Sequence, residues 1–186
     1  LGCTSPSSTI SVTVNPIPSA PIITSNTPIC EGATLTFSSA NVSGGTFSWT
    51  GVNGFSSSLQ NPTITTATTA MSGNYSATVT VLGCTSPSST ISATVNPIPS
   101  APTIASNTPI CEGASLTFNA TSVSGGTFSW TGVNAFSSSL QNLTRTTATT
   151  AMTGNYSATV TVLGCTSPSS TISVTVNPIP SAPIIT

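Results

Sequence analysis

The 186-residue chain repeats itself with a fixed period. Gly2-Cys3-Thr4-Ser5-Pro6 returns as Gly83-Cys84-Thr85-Ser86-Pro87 and again as Gly164-Cys165-Thr166-Ser167-Pro168, a spacing of 81 residues each time. Between residues 2–82 and 83–163, 69 of 81 positions are identical, and residues 164–186 repeat 2–24 without a change. A solenoid unit of ~20–50 residues cannot bury a core alone, whereas a unit of this length can close a small sandwich, so the period predicts an array of autonomous modules. The chain starts and stops inside the repeating unit, at Leu1-Gly2-Cys3 and Ile184-Ile185-Thr186. It therefore reads as a window on a longer repetitive protein, with any leader, anchor or sorting domain outside it. No apolar run reaches the ~18 residues that a membrane-spanning helix needs.

Charge narrows the function classes. One basic residue, Arg145, two acidic residues, Glu31 and Glu112, and no His leave 2% of positions charged and a net charge of -1. A nucleic-acid partner is excluded on that count, since phosphate binding requires a Lys/Arg surface. The chain is nonetheless polar: 37 Thr and 34 Ser make small hydroxyls its commonest side chains. A surface this neutral has little electrostatic repulsion to hold copies apart, so self-association is expected.

Apolar residues alternate with polar ones in Ala33-Thr34-Leu35-Thr36-Phe37, in Tyr75–Val81 and in Thr90–Val95, with β-branched residues dominant. That pattern predicts strands, and no stretch carries a helical stripe. Turn residues cluster at Ser43-Gly44-Gly45, Val52-Asn53-Gly54, Ser72-Gly73-Asn74 and Cys84-Thr85-Ser86-Pro87, spaced as an all-β sandwich requires. Asn96-Pro97-Ile98-Pro99-Ser100-Ala101-Pro102 recurs as Asn15–Pro21 and Asn177–Pro183, a proline-stiffened spacer expected to hold modules end to end.

These residues carry a resemblance. Ile64–Ala77 resembles the stretch between strands E and F of immunoglobulin-like domains, with Gly73 two residues before the corner Tyr75 and Ala77 two after it. Phe47-Ser48-Trp49 supplies the buried Trp of strand C, and Gly154, Tyr156, Ala158 and Trp130 repeat the set. Cys-Glu-Gly before strand B, Gly-Phe-Ser after the Trp, Gly-Cys-Thr-Ser after strand F and the Asn-Pro-Ile-Pro linker are similar to tandem Ig-like or PKD-like repeats of secreted and cell-surface proteins of Bacteroidota. Gliding and attachment adhesins are among these. The resemblance implies an all-β fold of tandem immunoglobulin-like β-sandwich modules of 81 residues. The expected bounds are 17–97 and 98–178, with 1–16 the last-strand fragment of a preceding module and 179–186 the first strand of a following one. Trp49, Tyr75, Trp130 and Tyr156 are expected in the core.

Leu35 and Ala77 stand at the positions of the family's central disulfide, so apolar packing around Trp49 is expected to replace it. The five cysteines lie elsewhere: Cys3, Cys84 and Cys165 after strand F, Cys30 and Cys111 before strand B. Their spacing fits no zinc pattern, and structural disulfides in an oxidising compartment are the expectation. In this topology Cys30 falls about 17 Å from mid-sandwich toward one pole and Cys84 about 23 Å toward the other, at ~3.3 Å per residue. A bridge tolerates a Cα separation of only ~6 Å. The preferred pairing is therefore Cys30 with Cys165 across the junction, with Cys3, Cys84 and Cys111 joined to modules beyond this window. An internal scheme, Cys30 with Cys84 and Cys111 with Cys165, suits two cysteines per module equally and stays open.

No enzyme is expected, because one Glu per module and no His or Asp provide no acid–base pair. No cofactor is expected, nor calcium, which wants several carboxylates. Arg145 reads as an exposed or snorkelling side chain. The Thr63–Thr69 run could form a flat hydroxyl array of the sort that binds ice or glycans, or simply be exposed strand. Asn41, Asn74, Asn119, Asn142 and Asn155 begin Asn-X-Ser/Thr triplets. The functional expectation is a self-associating structural segment of an extracellular bacterial surface filament or stalk, supporting attachment or motility. Its alternative is an adhesin module that itself grips a glycan, a surface or ice, and a spacer within a secreted enzyme is a third reading.

Overall fold

A computed structural model describes residues 2–184 and divides the chain into two compact units, Leu1–Val95 and Asn96–Thr186. Residues 1, 185 and 186 lie outside the described residues, so the expected strand at 179–186 falls partly outside them. The first unit is built on two main sheets. One orders Ile23–Ser25, Leu35–Ser39 and Thr63–Ile64; the other orders Ser56–Ser57, Thr46–Thr50 and Gly73–Val81, with Cys84–Thr85 and Ser89–Ala93 both pairing with Gly73–Val81. The second unit repeats this plan, from Ile104–Ser106 through Gly154–Val162 to Ser170–Val174. The architecture is all-β, with three-residue 3-10 turns as its helical elements among the described residues. Three strands facing a five-stranded sheet, joined in this order, is the immunoglobulin-like sandwich.

Alternation of side chains decides which face is buried. Leu35, Phe37, Phe47, Trp49, Tyr75, Ala77 and Val79 point inward, and Trp49 and Tyr75 are wholly inaccessible. Trp130 and Tyr156 are equally buried within a second, separate cluster. Phe37 lies between Trp49 and Tyr75, with ring centroids 5.5 and 4.5 Å away, and Phe55 closes edge-on against Tyr75 at 5.4 Å. Tilted and edge-to-face contacts of this kind add to simple burial. Trp49 pairs in register with Ala77, so the position facing the largest side chain holds one of the smallest.

The corner is closed by the Tyr75 hydroxyl, which donates to the Met71 carbonyl at 2.8 Å, and Tyr156 does the same to Met152 at 3.0 Å. Gly51 makes room for this ring, since a Cβ there would overlap Tyr75 Cδ1 and Cε1. Two turns lie earlier than their residues predicted. The chain turns at Thr69–Met71, and Gly73 already begins the strand at φ +151, against Val52, where a Cβ would not fit. The expected turn at Cys84–Pro87 is instead a two-residue loop, Leu82-Gly83, because Val81 pairs with Cys84. Both loop residues have positive φ, +47 and +80, as a hairpin twist of this type requires. Pro87 then interrupts the edge, and the buried Ser86 hydroxyl accepts from Val79 N–H at 3.0 Å in place of a ladder partner.

The two units differ where the sequence does. Pro62 becomes Leu143, whose backbone N–H permits a third residue in that strand, and Phe118 gains Leu143 as a register partner. Ile64 becomes Arg145, which is half-buried rather than exposed. Its guanidinium sits 4.9 Å above the Phe136 ring, and Nη1 donates to the Tyr156 hydroxyl at 3.3 Å. The stem covers the core while the cation finds a π face and an acceptor.

Two outcomes follow. Gly51→Ala should destabilise the first unit by about 2–3 kcal/mol, the cost of overpacking a rigid core, while Tyr75→Phe should cost about 1 kcal/mol for the lost corner bond; denaturant unfolding monitored by Trp49 fluorescence measures both. Burial also holds the Tyr75 phenol above its ordinary range. The folded pKa is the higher one, so this contribution is complete below the unfolded value near ~10 and is lost as pH rises through the folded value. Unfolding followed across pH 8–12 should show a fall in stability above about 10 that Tyr75→Phe reduces.

Candidate functional site: the cysteine-bearing module poles

The five cysteines occupy the two poles of the repeat. Cys30 and Cys165 are disulfide-bonded, while Cys3, Cys84 and Cys111 carry thiols. Each pole is built from backbone pairing within its own unit.

At the far pole of the second unit, Ile110–Cys111 runs parallel to Val176–Asn177, with Cys111 level with Asn177. Glu112 N–H donates to the Asn177 carbonyl at 2.8 Å, and the Thr108 hydroxyl bridges to Thr175 by accepting from its N–H at 2.7 Å. The first unit repeats these contacts, where Ile29 N–H donates to the Thr94 carbonyl at 3.1 Å and the Thr27 hydroxyl accepts from Thr94 N–H at 2.6 Å. A cis peptide precedes each Pro of this pole, Thr27–Pro28 and Thr108–Pro109.

At the near pole, the spacer residue Asn96 donates from its side-chain amide to the Leu163 carbonyl at 3.2 Å, and Cys165 Sγ lies 3.9 Å from the Asn96 carbonyl oxygen. In the first unit Asn15 bonds Leu82 in the same way at 3.3 Å, and the Cys84 thiol donates weakly to the Asn15 carbonyl at 3.6 Å. Asn15, Pro16 and Pro18 line a small niche of about 180 Å³ with Val42, Val81 and Leu82. The spacer is thus fastened to the module that follows it. Cys165 is fully buried, whereas Cys84 is half-buried and Cys111 exposed.

The hydroxyls are displayed elsewhere than the sequence placed them. Of the Thr63–Thr69 run only Thr63 lies in a strand; Thr66 has φ +54 and Thr69 enters a 3-10 turn, so that run forms no flat array. The flat hydroxyl face belongs to the larger sheet. Thr46, Ser48 and Thr50 stand opposite Thr80, Thr78 and Ser76, and the ladder continues through Ser76–Thr90 and Thr80–Thr85 hydroxyl bonds of 2.7 and 2.8 Å. At its edge an open hollow of about 460 Å³ is lined by Ser48, Trp49, Thr50, Ser56, Ser57 and Ser58. Nothing in the composition distinguished this face from the opposite sheet, because Ser and Thr are frequent throughout. Among the described residues no group of three His, Cys, Asp or Glu side chains gathers, and no helix is long and apolar enough to cross a membrane.

Alkylation of the denatured, unreduced chain should modify Cys3, Cys84 and Cys111 and leave Cys30 and Cys165 to react only after reduction. Intact-mass measurement reads the result directly, and alkylation of all five without reductant would contradict it.

Residues 99–178 match the family described as "Ig-like domain CHU_C associated". No curated protein sequence matches the chain. Among solved structures, a chain of the crystal structure of the mouse coronavirus receptor-binding domain complexed with its murine receptor is similar at 14% identity. The match covers 84% of this chain and 99% of that one, with a TM-score of 0.53. Murine CEACAM1b is 15% identical over 85% of this chain and all of its own, with a TM-score of 0.48. Identity this low speaks to the fold alone. The matched domain and its near-copy, with 69 of 81 positions identical between residues 2–82 and 83–163, make the chain a tandem pair of Ig-like modules similar to the Ig-like repeats of Bacteroidota proteins.

Proposed function

We propose that this segment is a structural repeat of an extracellular bacterial surface filament or stalk, associating with copies of itself and supporting attachment or motility. The observation that carries the reading is the repetition, nearly unchanged, of a module whose larger sheet bears hydroxyls and no charge. Identical faces recurring at a fixed period allow equal lateral contacts along a chain. Neither like-charge repulsion nor salt screening acts on such contacts.

The module bounds of this reading are 17–97 and 98–178, with 1–16 and 179–186 belonging to neighbours. Ile10, Val12 and Val14 are 90, 77 and 88% exposed and lie in no sheet, yet they repeat Ile172, Val174 and Val176, which pack in the second core. An apolar alternation left bare in this way is what this reading expects of a last strand whose own sandwich lies before it.

The disulfide of this reading joins Cys30 to Cys165. Its support comes from contacts inside single units. Cys111 is level with Asn177 at one pole, and Cys165 Sγ is 3.9 Å from the Asn96 carbonyl at the other. Cys30 and Asn96 are the repeat equivalents of Cys111 and Asn177, so this reading expects one spacer asparagine to be flanked by both cysteines. Both are disulfide-bonded while Cys84 and Cys111 carry thiols, which supports this pairing over the internal scheme. Their equivalent partners would belong to modules outside residues 1–186. A bridge of this kind implies an oxidising, extracellular setting.

A second reading, an adhesin that binds neutral glycans, draws on the hydroxyl-lined hollow beside Trp49. Electron microscopy of purified multi-repeat protein in dilute buffer and in about 1 M salt separates the two, since uncharged contacts are insensitive to a Debye length falling to ~3 Å. Bundles or filaments that persist in both buffers are expected. Monodisperse single chains in both would defeat self-association, and saturable binding of a neutral oligosaccharide to an isolated repeat would favour the adhesin.

A further inference from the structure

Resting on the Cys30–Cys165 pairing proposed above, we propose that the bridge is a load bypass: tension along the chain passes from Cys30 to Cys165 through the sulfur–sulfur bond and leaves residues 31–164 slack. In an unbridged sandwich pulled by its ends, force enters through the first and last strands and the whole module must unravel. With the bridge, the shortest covalent path skips everything between the two cysteines.

What it skips is most of the stabilising interior of both units. Leu35, Phe37, Trp49, Tyr75 and Val79 of the first core lie inside residues 31–164. So do Leu116, Phe118, Trp130, Tyr156 and Val160 of the second. The longest strands left on the loaded path are Ile23–Ser25, held by three register pairs to Leu35–Ser39, and Ser170–Val174, held by five to Gly154–Val162; the two-residue strands Ile29–Cys30, Cys165–Thr166 and Val176–Asn177 lie there too. These can peel, and the slack interior has no reason to follow. Cys111 lies between Cys30 and Cys165, so a bridge from Cys111 to the next equivalent cysteine would open before the first loop closes. Where the 81-residue period continues, successive loops overlap and every core is enclosed by one. The array then behaves as a cord of fixed length, and the redox state of its cysteines decides whether it can stretch.

The test is single-molecule stretching of the 186-residue chain, tethered at its two ends by non-thiol tags, before and after treatment with a dithiol reductant. Reduction breaks the S–S bond, returns two thiols to the protein and leaves the reductant as its cyclic disulfide. The reduced chain should release in unfolding steps roughly 450 Å of extra contour length, the reach of residues 31–164 at ~3.4 Å per residue. The oxidised chain should show no such steps at the same load, only peeling of the flanking strands within the roughly 180 Å that the residues outside the loop can span at the same rise. The Cys30→Ser/Cys165→Ser double variant, unreduced, should lengthen as the reduced chain does. Peptide mapping of the same oxidised sample separates two failures. If the Cys30–Cys165 peptide is absent, the pairing falls and the bypass with it. If the peptide is present and the oxidised tether still lengthens by the loop length, or the double variant remains as short as the oxidised parent, the bypass itself is overturned while the pairing stands.

Discussion

The packing of one phenylalanine between a tryptophan and a tyrosine holds each module together. Immunoglobulin-like sandwiches commonly join their sheets with a disulfide at mid-core, and here Leu35 and Ala77 stand at those places, both buried. Phe37 comes from one sheet, Trp49 and Tyr75 from the other, with centroids 5.5 and 4.5 Å from Phe37 respectively. The sheets are therefore registered by aromatic contact and by the Tyr75 corner bond to Met71. Other features answer to this cluster. Gly51 lacks a side chain because the Tyr75 ring occupies its space, Ala77 is small because Trp49 lies across from it, and Arg145 finds its place against Phe136 and Tyr156.

Moving cysteine chemistry out of the core changes what it can do. A central disulfide would stabilise one module and nothing else. Cysteines at the poles stand beside the spacer asparagine, where the chain leaves one unit and enters the next. The hydrogen bonds from Asn15 to Leu82 and from Asn96 to Leu163 fasten each spacer to the unit that follows it. Three prolines in the spacer remove donors that would otherwise have to be satisfied there.

Much of this was legible in the sequence, and the reasons are specific. The strand Gly73–Val81 alternates Tyr75, Ala77 and Val79 inward with hydroxyl residues outward, and period-two patterns of that length have one reading. The repeat made the modules visible without any structural knowledge. Turn placement was less legible. Ser72-Gly73-Asn74 has turn composition, but Gly73 is there to clear Val52 at the start of a strand, a tertiary demand that local propensity does not record. Leu82 has no turn signature at all, and it adopts positive φ because the pairing of Val81 with Cys84 leaves two residues to reverse the chain. The threonine run at 63–69 looked like a face because its residues are alike. The backbone bends through it, and the true hydroxyl face is assembled from strands distant in sequence.

The separateness of the two cores has a consequence for heredity. Each unit buries its own aromatic cluster, and no residue of one cluster is needed to complete the other. Near-identical coding units are prone to unequal exchange between copies, which adds or removes whole repeats. Because every unit brings a finished interior, such an exchange yields a longer or shorter protein in which each remaining module still folds. Length is then a trait that selection can adjust in whole steps of one module, without any intermediate that has to pass through a broken fold.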